Sequence, residues 1–247
     1  MSSLCKKYIM ALTGLILVGF AIGHMLGNLQ MFLHPDWINE YAYKLKHLPY
    51  GLLWMVRGVL LVAVVLHIWT AVLLVLENRR ARPQGYVVQA HLQASFASRT
   101  MRYSGIILLA FIVFHILHYT VQAVHPGFKE LETELSGVGT MHMVYDKLAA
   151  TGKTQVHDVF SMVAHGFSRP YWYVSVFYIV SMVLLCLHLR HGISSMFQSL
   201  GLRNKLWRGR LDRAALVIAL ILFAGFASIP VATLAGVIEP ITELVSH

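Results

Sequence analysis

Five apolar stretches dominate this sequence: Tyr8–Leu33, Leu52–Leu76, Tyr103–Val124, Tyr171–Leu189 and Ala214–Ile238. A bilayer core roughly 30 Å thick takes about 20 apolar residues per helix. With 57% hydrophobic and 13% charged residues, the chain is too apolar for an ordinary soluble domain. The expectation is an all-α integral membrane bundle of five transmembrane helices, at about residues 8–33, 52–76, 103–124, 171–193 and 214–238. It forms a single domain over residues 1–247, with no repeat of 20–50 residues. The first stretch is no cleaved signal peptide: it is too long, lacks a small-residue cleavage site, and carries His24, Asn28 and Gln30.

The formal charge of +9 is distributed unevenly. Lys6 and Lys7 precede the first span; Arg79, Arg80, Arg82, Arg99 and Arg102 lie between the second and third. Arg190, Arg203, Lys205, Arg208, Arg210 and Arg213 lie between the fourth and fifth. The alternate connections hold most of the acidic residues. This positive-inside pattern puts the N-terminus in the cytoplasm and, after five spans, the C-terminus outside. It argues against a nucleic-acid partner. Membrane insertion explains the basic loops, which could also dock a soluble partner.

Cys5 and Cys186 fall on the cytoplasmic side and within a span, so they cannot pair. No zinc-finger spacing or CxxCH attachment motif exists. In the outer connection His34–Gly51, the aromatic residues Trp37, Tyr41, Tyr43 and Tyr50 suit an interfacial belt, as does Trp54 just beyond it. Residues Arg79–Met101 form a cytoplasmic loop, and the long connection His125–Pro170 caps the outer end, with a short helix around Met141–Ala150. Pro230 should kink the fifth span, which has no histidine and reads as a packing or lipid-facing helix.

Six histidines sit inside the apolar helices: His24, His67, His115, His118, His188 and His191. An ionisable ring in a membrane span is costly and usually has a role. Neutral imidazole is a standard axial ligand for haem iron. At about 1.5 Å of rise per residue, His24 and His115 both lie roughly 15 Å from the outer end of their helices. His67 and His188 lie about 22–25 Å from it. Depth therefore pairs His24 with His115 and His67 with His188, as an outer and an inner haem at levels about 10 Å apart. Polar packing is the competing reading for any single histidine. His118 and His191 each follow a candidate by three residues on a neighbouring part of the same face, and remain alternative ligands, propionate donors or packing residues.

Other polar and small residues accompany them. Gly14, Gly19, Gly23 and Gly27 line the first span, where they serve close helix approach or leave room for a flat porphyrin. Arg57 could neutralise an outer-haem propionate or orient a quinone, or simply snorkel. Asn28 and Gln30 could hydrogen-bond a quinone carbonyl or cap the helix end, and Arg102 is a further candidate propionate or quinone contact.

An ordered set of motifs runs through four spans. The first has Leu12-Thr13-Gly14-Leu15 and Ile22-Gly23-His24-Met25. The third has Arg102-Tyr103-Ser104-Gly105-Ile106-Ile107, with His115 ten residues after Gly105. The fourth has Phe177-Tyr178-Ile179-Val180, then His188 and Gly192. Over nearly its whole length the chain resembles the cytochrome b membrane subunit of succinate:quinone oxidoreductases and fumarate reductases, in the type with one five-helix polypeptide and two b haems. The family's ligand spacing selects His115 over His118 and His188 over His191, and its pairing agrees with the depth argument.

The resemblance implies two haem b groups, a quinone substrate (menaquinone or ubiquinone), and a place in the respiratory chain and tricarboxylic acid cycle. It also implies a flavoprotein (FAD) subunit and an iron–sulfur subunit on the cytoplasmic face of a bacterial cytoplasmic (inner) membrane. Succinate is oxidised on the flavoprotein. Electrons then pass from the iron–sulfur subunit to the inner haem, the outer haem and quinone. Some fumarate-reductase members have a glutamate two residues before the fourth-span ligand as a proton route; Cys186 stands there, so that route is expected to be absent. Glu40 is a candidate acidic quinol-site residue, with solvated loop charge as the other reading. Two competing readings are a dihaem cytochrome b of a hydrogenase or formate dehydrogenase, and a haem-free anchor or transporter whose histidines relay protons or bind metal.

Overall fold

The computed structural model describes residues 2–81, 96–137, 144–152 and 154–244. Its long helices are α1 (Ser3–Asn28), α3 (Leu52–Arg80), α4 (Phe96–His115), α7 (Trp172–Ser199) and α8 (Arg208–Leu234). Five segments built on them are long and apolar enough to cross a membrane: Ser3–Phe32, Pro49–Arg80, Arg99–Thr120, Arg169–Ser199 and Arg208–Leu234. No more than a third of the most apolar window in any of them is buried inside the protein. Exposed side chains such as Leu12, Ile16, Val59, Leu61, Ile106 and Val180 are the surface such helices offer to lipid.

The helix ends differ from the apolar stretches for physical reasons. α1 begins at Ser3, α3 runs on to Arg80 and α7 to Ser199. Backbone hydrogen bonding continues past the apolar core wherever polar side chains can be solvated. At the opposite ends the helices stop early. α8 passes through buried Pro230 and ends at Leu234, where Gly236 adopts a positive φ of 75° and Val237 N–H returns to the Ala232 carbonyl. α4 ends at His115 and opens into a π-turn over Ile116–Thr120, closed by Gln122 at φ 59°.

The chain folds as two compact units. The first comprises Met1–Ile22, Trp54–Gly105 and Leu185–Leu222. Small side chains are buried there at Ala11, Ala63, Ala97, Ala215 and Ala219, the residue type that allows membrane helices to approach closely. Lys6, on α1, is buried in an ion pair with Glu77.

The second unit comprises Gly23–Leu53, Ile106–Leu184 and Phe223–His247. Its core gathers Met31, Ile38, Phe128, Phe160, Phe167 and Tyr178, among others. The connections expected as a belt and a cap are a folded layer. It contains α2 (Pro35–Lys46), α5 (Tyr145–Ala150), α6 (Val159–Gly166) and a two-stranded antiparallel sheet of β1 (Glu132–Glu134) with β2 (Gln155–His157). Buried carboxylates tie it together. Asp36 accepts from Ser136 N–H and O–H and from Gly137 N–H. Asp158 accepts from Asn39, Ser161 N–H and the Thr242 hydroxyl.

Glu40 corrects the reading as solvated loop charge. It is 3% exposed, accepts the Val144 N–H at 3.0 Å and pairs with Lys44 at 3.3 Å. The packing of α2 against α6 and β2 buries it. Most of the expected loop Arg79–Met101, including Arg82, and the start of the expected helix at Met141 lie outside the described residues.

Candidate functional site

Within the first unit, α3 carries His67 and α7 carries His188, with ring centroids 6.5 Å apart and ring planes tilted by 54°. Thr13 on α1 places its Oγ1 3.1 Å from His67 Nδ1. Ser104 on α4 places its Oγ 3.2 Å from His188 Nδ1. The next residue on each helix is a glycine. A Cβ at Gly14 would lie 3.5 Å from His67 Cε1, and one at Gly105 would lie 3.8 Å from His188 Cε1. A side chain longer than a methyl at either position would enter the space of the ring.

Within the second unit, His24 on α1 faces His115 at the end of α4, with centroids 5.7 Å apart and planes at 82°. Phe111 stacks on His115 at 5.8 Å, and Phe226 of α8 lies 5.9 Å from His24. The helix without histidines therefore contributes a wall to this pair. The Tyr178 hydroxyl stands 3.3 Å from His115 Nδ1 and 3.1 Å from His118 Nδ1.

These spacings bear on a metal between the rings. Metal–imidazole bonds are about 2 Å long, so two trans imidazoles on one metal ion put their ring centroids roughly 6 Å apart. The distances of 5.7 and 6.5 Å bracket that value. Among the described residues no group of three or more His, Cys, Asp or Glu side chains is arranged to hold a bare metal ion. A pair of imidazoles would need a further ligand to complete a metal site, which a porphyrin could supply. A Cβ at Gly19 or Gly23 would meet nothing within 4 Å, whereas one at Gly27 would strike the Tyr41 ring. Gly27 thus serves close packing, and the other two leave open faces.

The alternative ligands are placed differently. His118 is fully buried, stacked on Tyr119 at 4.0 Å and on Phe128 at 5.8 Å, while His115 faces His24. The cause is the π-turn, whose wider winding takes His118 off the face expected three residues along an α-helix. His191 is half-buried one turn beyond His188, and it is His188 that faces His67.

The other candidates have local roles. Asn28 donates from Nδ2 to the His24 carbonyl at 2.8 Å, capping the end of α1, and Gln30 lies in the 3₁₀ turn that follows. Arg57 is exposed, with its guanidinium 4.8 Å from the Trp54 ring centre, the arrangement of an interfacial anchor. Arg102 lines a groove with Val75, Asn78 and Arg79.

Sequence reasoning missed Thr13, Ser104 and Tyr178 as partners of the imidazoles. A signal was present for the first two: a hydroxyl–glycine pair precedes His24 on the first span at the same spacing as His115 on the third. The chain matches no protein-family model, no curated protein and no solved structure.

Proposed function

We propose that this chain is the membrane-anchor cytochrome b subunit of a succinate:quinone oxidoreductase, with one haem b between His24 and His115 and a second between His67 and His188. The observation that carries the reading is the meeting of four membrane-helix histidines in two pairs, each at the centroid separation of two imidazoles on one iron. Bound in these pairs, haem b supplies one-electron carriers between an iron–sulfur partner and membrane quinone.

The residues present suit that task. Phe111 and Phe226 wall one pair with apolar surface. Neutral imidazole is the form that ligates metal. The first unit exposes Lys7, Arg79, Arg80, Arg102, Arg208 and Arg210, a basic surface suited to the soluble flavoprotein and iron–sulfur partners. By the positive-inside rule this surface is cytoplasmic. Succinate chemistry belongs to the flavoprotein, and this chain's part is to hold the ligands and bind quinone.

The test is a reduced-minus-oxidised spectrum with a pyridine haemochrome assay on the purified protein, alongside His24→Ala, His67→Ala, His115→Ala and His188→Ala. Two haems b per chain are expected, with H24A and H115A disturbing one and H67A and H188A the other. Wild-type protein without haem would overturn the reading. Co-purification of a flavin-bearing, succinate-oxidising subunit separates it from the hydrogenase and formate dehydrogenase types.

A further inference from the structure

His67 and His188 are approached by hydroxyl groups in the same way, and each hydroxyl also lies within hydrogen-bond distance of a carbonyl on its own helix. A hydroxyl has one proton to give. Thr13 gives its proton to the Ile9 carbonyl at 2.7 Å, with the Met10 carbonyl at 3.2 Å. Ser104 gives its proton to the Met101 carbonyl at 3.1 Å. With these protons given to the helix backbone, each hydroxyl has a lone pair to offer its imidazole Nδ1–H, and at His67 the Met10 carbonyl is a second acceptor. A neutral imidazole protonated at Nδ1 carries its free lone pair on Nε2.

The two arrangements are copies. At an offset of 91 residues Gly14 aligns with Gly105, Phe20 with Phe111, His24 with His115, and His34-Pro35 with His125-Pro126, while Thr13 stands opposite Ser104. At an offset of 121, Pro49-Tyr50 aligns with Pro170-Tyr171 and His67 with His188. Helix pairs α1–α3 and α4–α7 thus repeat one plan, in which the first helix supplies a hydroxyl and a glycine to the histidine of the second.

We propose that Thr13 and Ser104 are a matched pair of positioning residues for the metal centre at His67 and His188. Each locks the tautomer and orientation of the imidazole it touches and presents Nε2 as the iron donor. This rests on the haem reading above. Accepting Nδ1–H makes an imidazole a more basic ligand, and a more basic ligand favours ferric over ferrous iron. Loss of either acceptor should raise the midpoint potential of that haem alone.

The experiment uses the purified complex with Thr13→Val, Thr13→Ser, Ser104→Ala and Ser104→Thr. Wild-type haem content comes first, because protein without haem overturns the haem reading itself, before any variant is made. With two haems present, redox titration and the ferric low-spin resonance signals are read for each, assigned by comparison with H67A and H24A. T13V and S104A are each expected to raise one potential and move one signal, leaving the other haem unchanged. T13S and S104T should keep wild-type values. Unchanged potentials in both T13V and S104A overturn the proposal, and so does T13S behaving as T13V. If T13V loses that haem altogether, its recovery in T13S supports the role of the hydroxyl, and failure to recover overturns it.

Discussion

The ring of His24 meets that of His115 nearly at a right angle, 82° between planes, whereas His67 and His188 are inclined at 54°. Were His24 and His115 to hold a ferric haem in this near-perpendicular arrangement, its g-values would be spread more widely than those of a haem held by His67 and His188. If the proposed haems are bound, the oxidised protein should show two low-spin signals, the one with the larger maximum g belonging to His24 and His115. Electron paramagnetic resonance of H24A and H67A checks this, since H24A should remove the wider signal and H67A the narrower. Loss of the same signal from both variants would contradict the pairing.

Helix packing gives a second test. A Cβ at Gly27 would come within 2.8–3.0 Å of the Tyr41 ring, and a phenol ring packed against a helix has little freedom to yield. A Cβ at Gly225 would collide with the Met25 side chain, a flexible group that can turn away. Gly27→Ala should therefore destabilise the protein by about 1–3 kcal/mol, and Gly225→Ala by less. Thermal unfolding in detergent should rank wild type first, then G225A, then G27A.

The folded layer built on the second unit depends on Asp158, which is fully buried and accepts from Asn39, Ser161 N–H and the Thr242 hydroxyl. Asp158→Ala strands those donors, at about 1–3 kcal/mol for each left without a partner. Asp158→Asn keeps one oxygen and should cost less. Limited proteolysis between residues 125 and 170 should accelerate strongly in D158A and weakly in D158N, with helical circular dichroism as a control on the helices.

The same layer should weaken in mild acid. Burial and nearby Lys46 push the His157 pKa below its ordinary 6.5, only partly offset by the Leu131 carbonyl and by Asp158 and Glu132. Burial lowers His125 as well. A histidine with a depressed folded pKa binds its proton more readily when unfolded. Its contribution is therefore complete above pH about 6.5 and declines as pH falls below that towards the folded value. Protonation would also turn His157 Nε2 from an acceptor of the Gln122 amide into a donor. Proteolysis of this layer should be faster at pH 5.5 than at 7.5, and His157→Gln should flatten the dependence.

Particular residues show how far the chain could be read in one dimension. The five spans were legible because lipid demands about 20 apolar residues in a row, a property of consecutive sequence. The candidate histidines were legible because an ionisable ring inside such a run is costly, and their depths followed from a constant rise per residue. Glu40 and Asp158 were not, since nothing in their neighbours says that a distant N–H will reach them, at Val144 for one and through Asn39 for the other. The sequence left His118 open between ligand and packing because a three-residue spacing assumes an α-helix, whereas the π-turn that buries it depends on tertiary packing.

The sequence by itself determined that this chain has five helices long and apolar enough to cross a membrane, and which of them carry imidazoles. Tertiary structure alone decided that His118 is buried against Tyr119 and Phe128, that Thr13 and Ser104 reach His67 and His188, and that the long connections form a folded layer on buried carboxylates. The division has a physical cause. Hydropathy and helical rise act along the chain, whereas hydrogen bonds between helices depend on rotation about each helix axis, which the packing of all of them sets together.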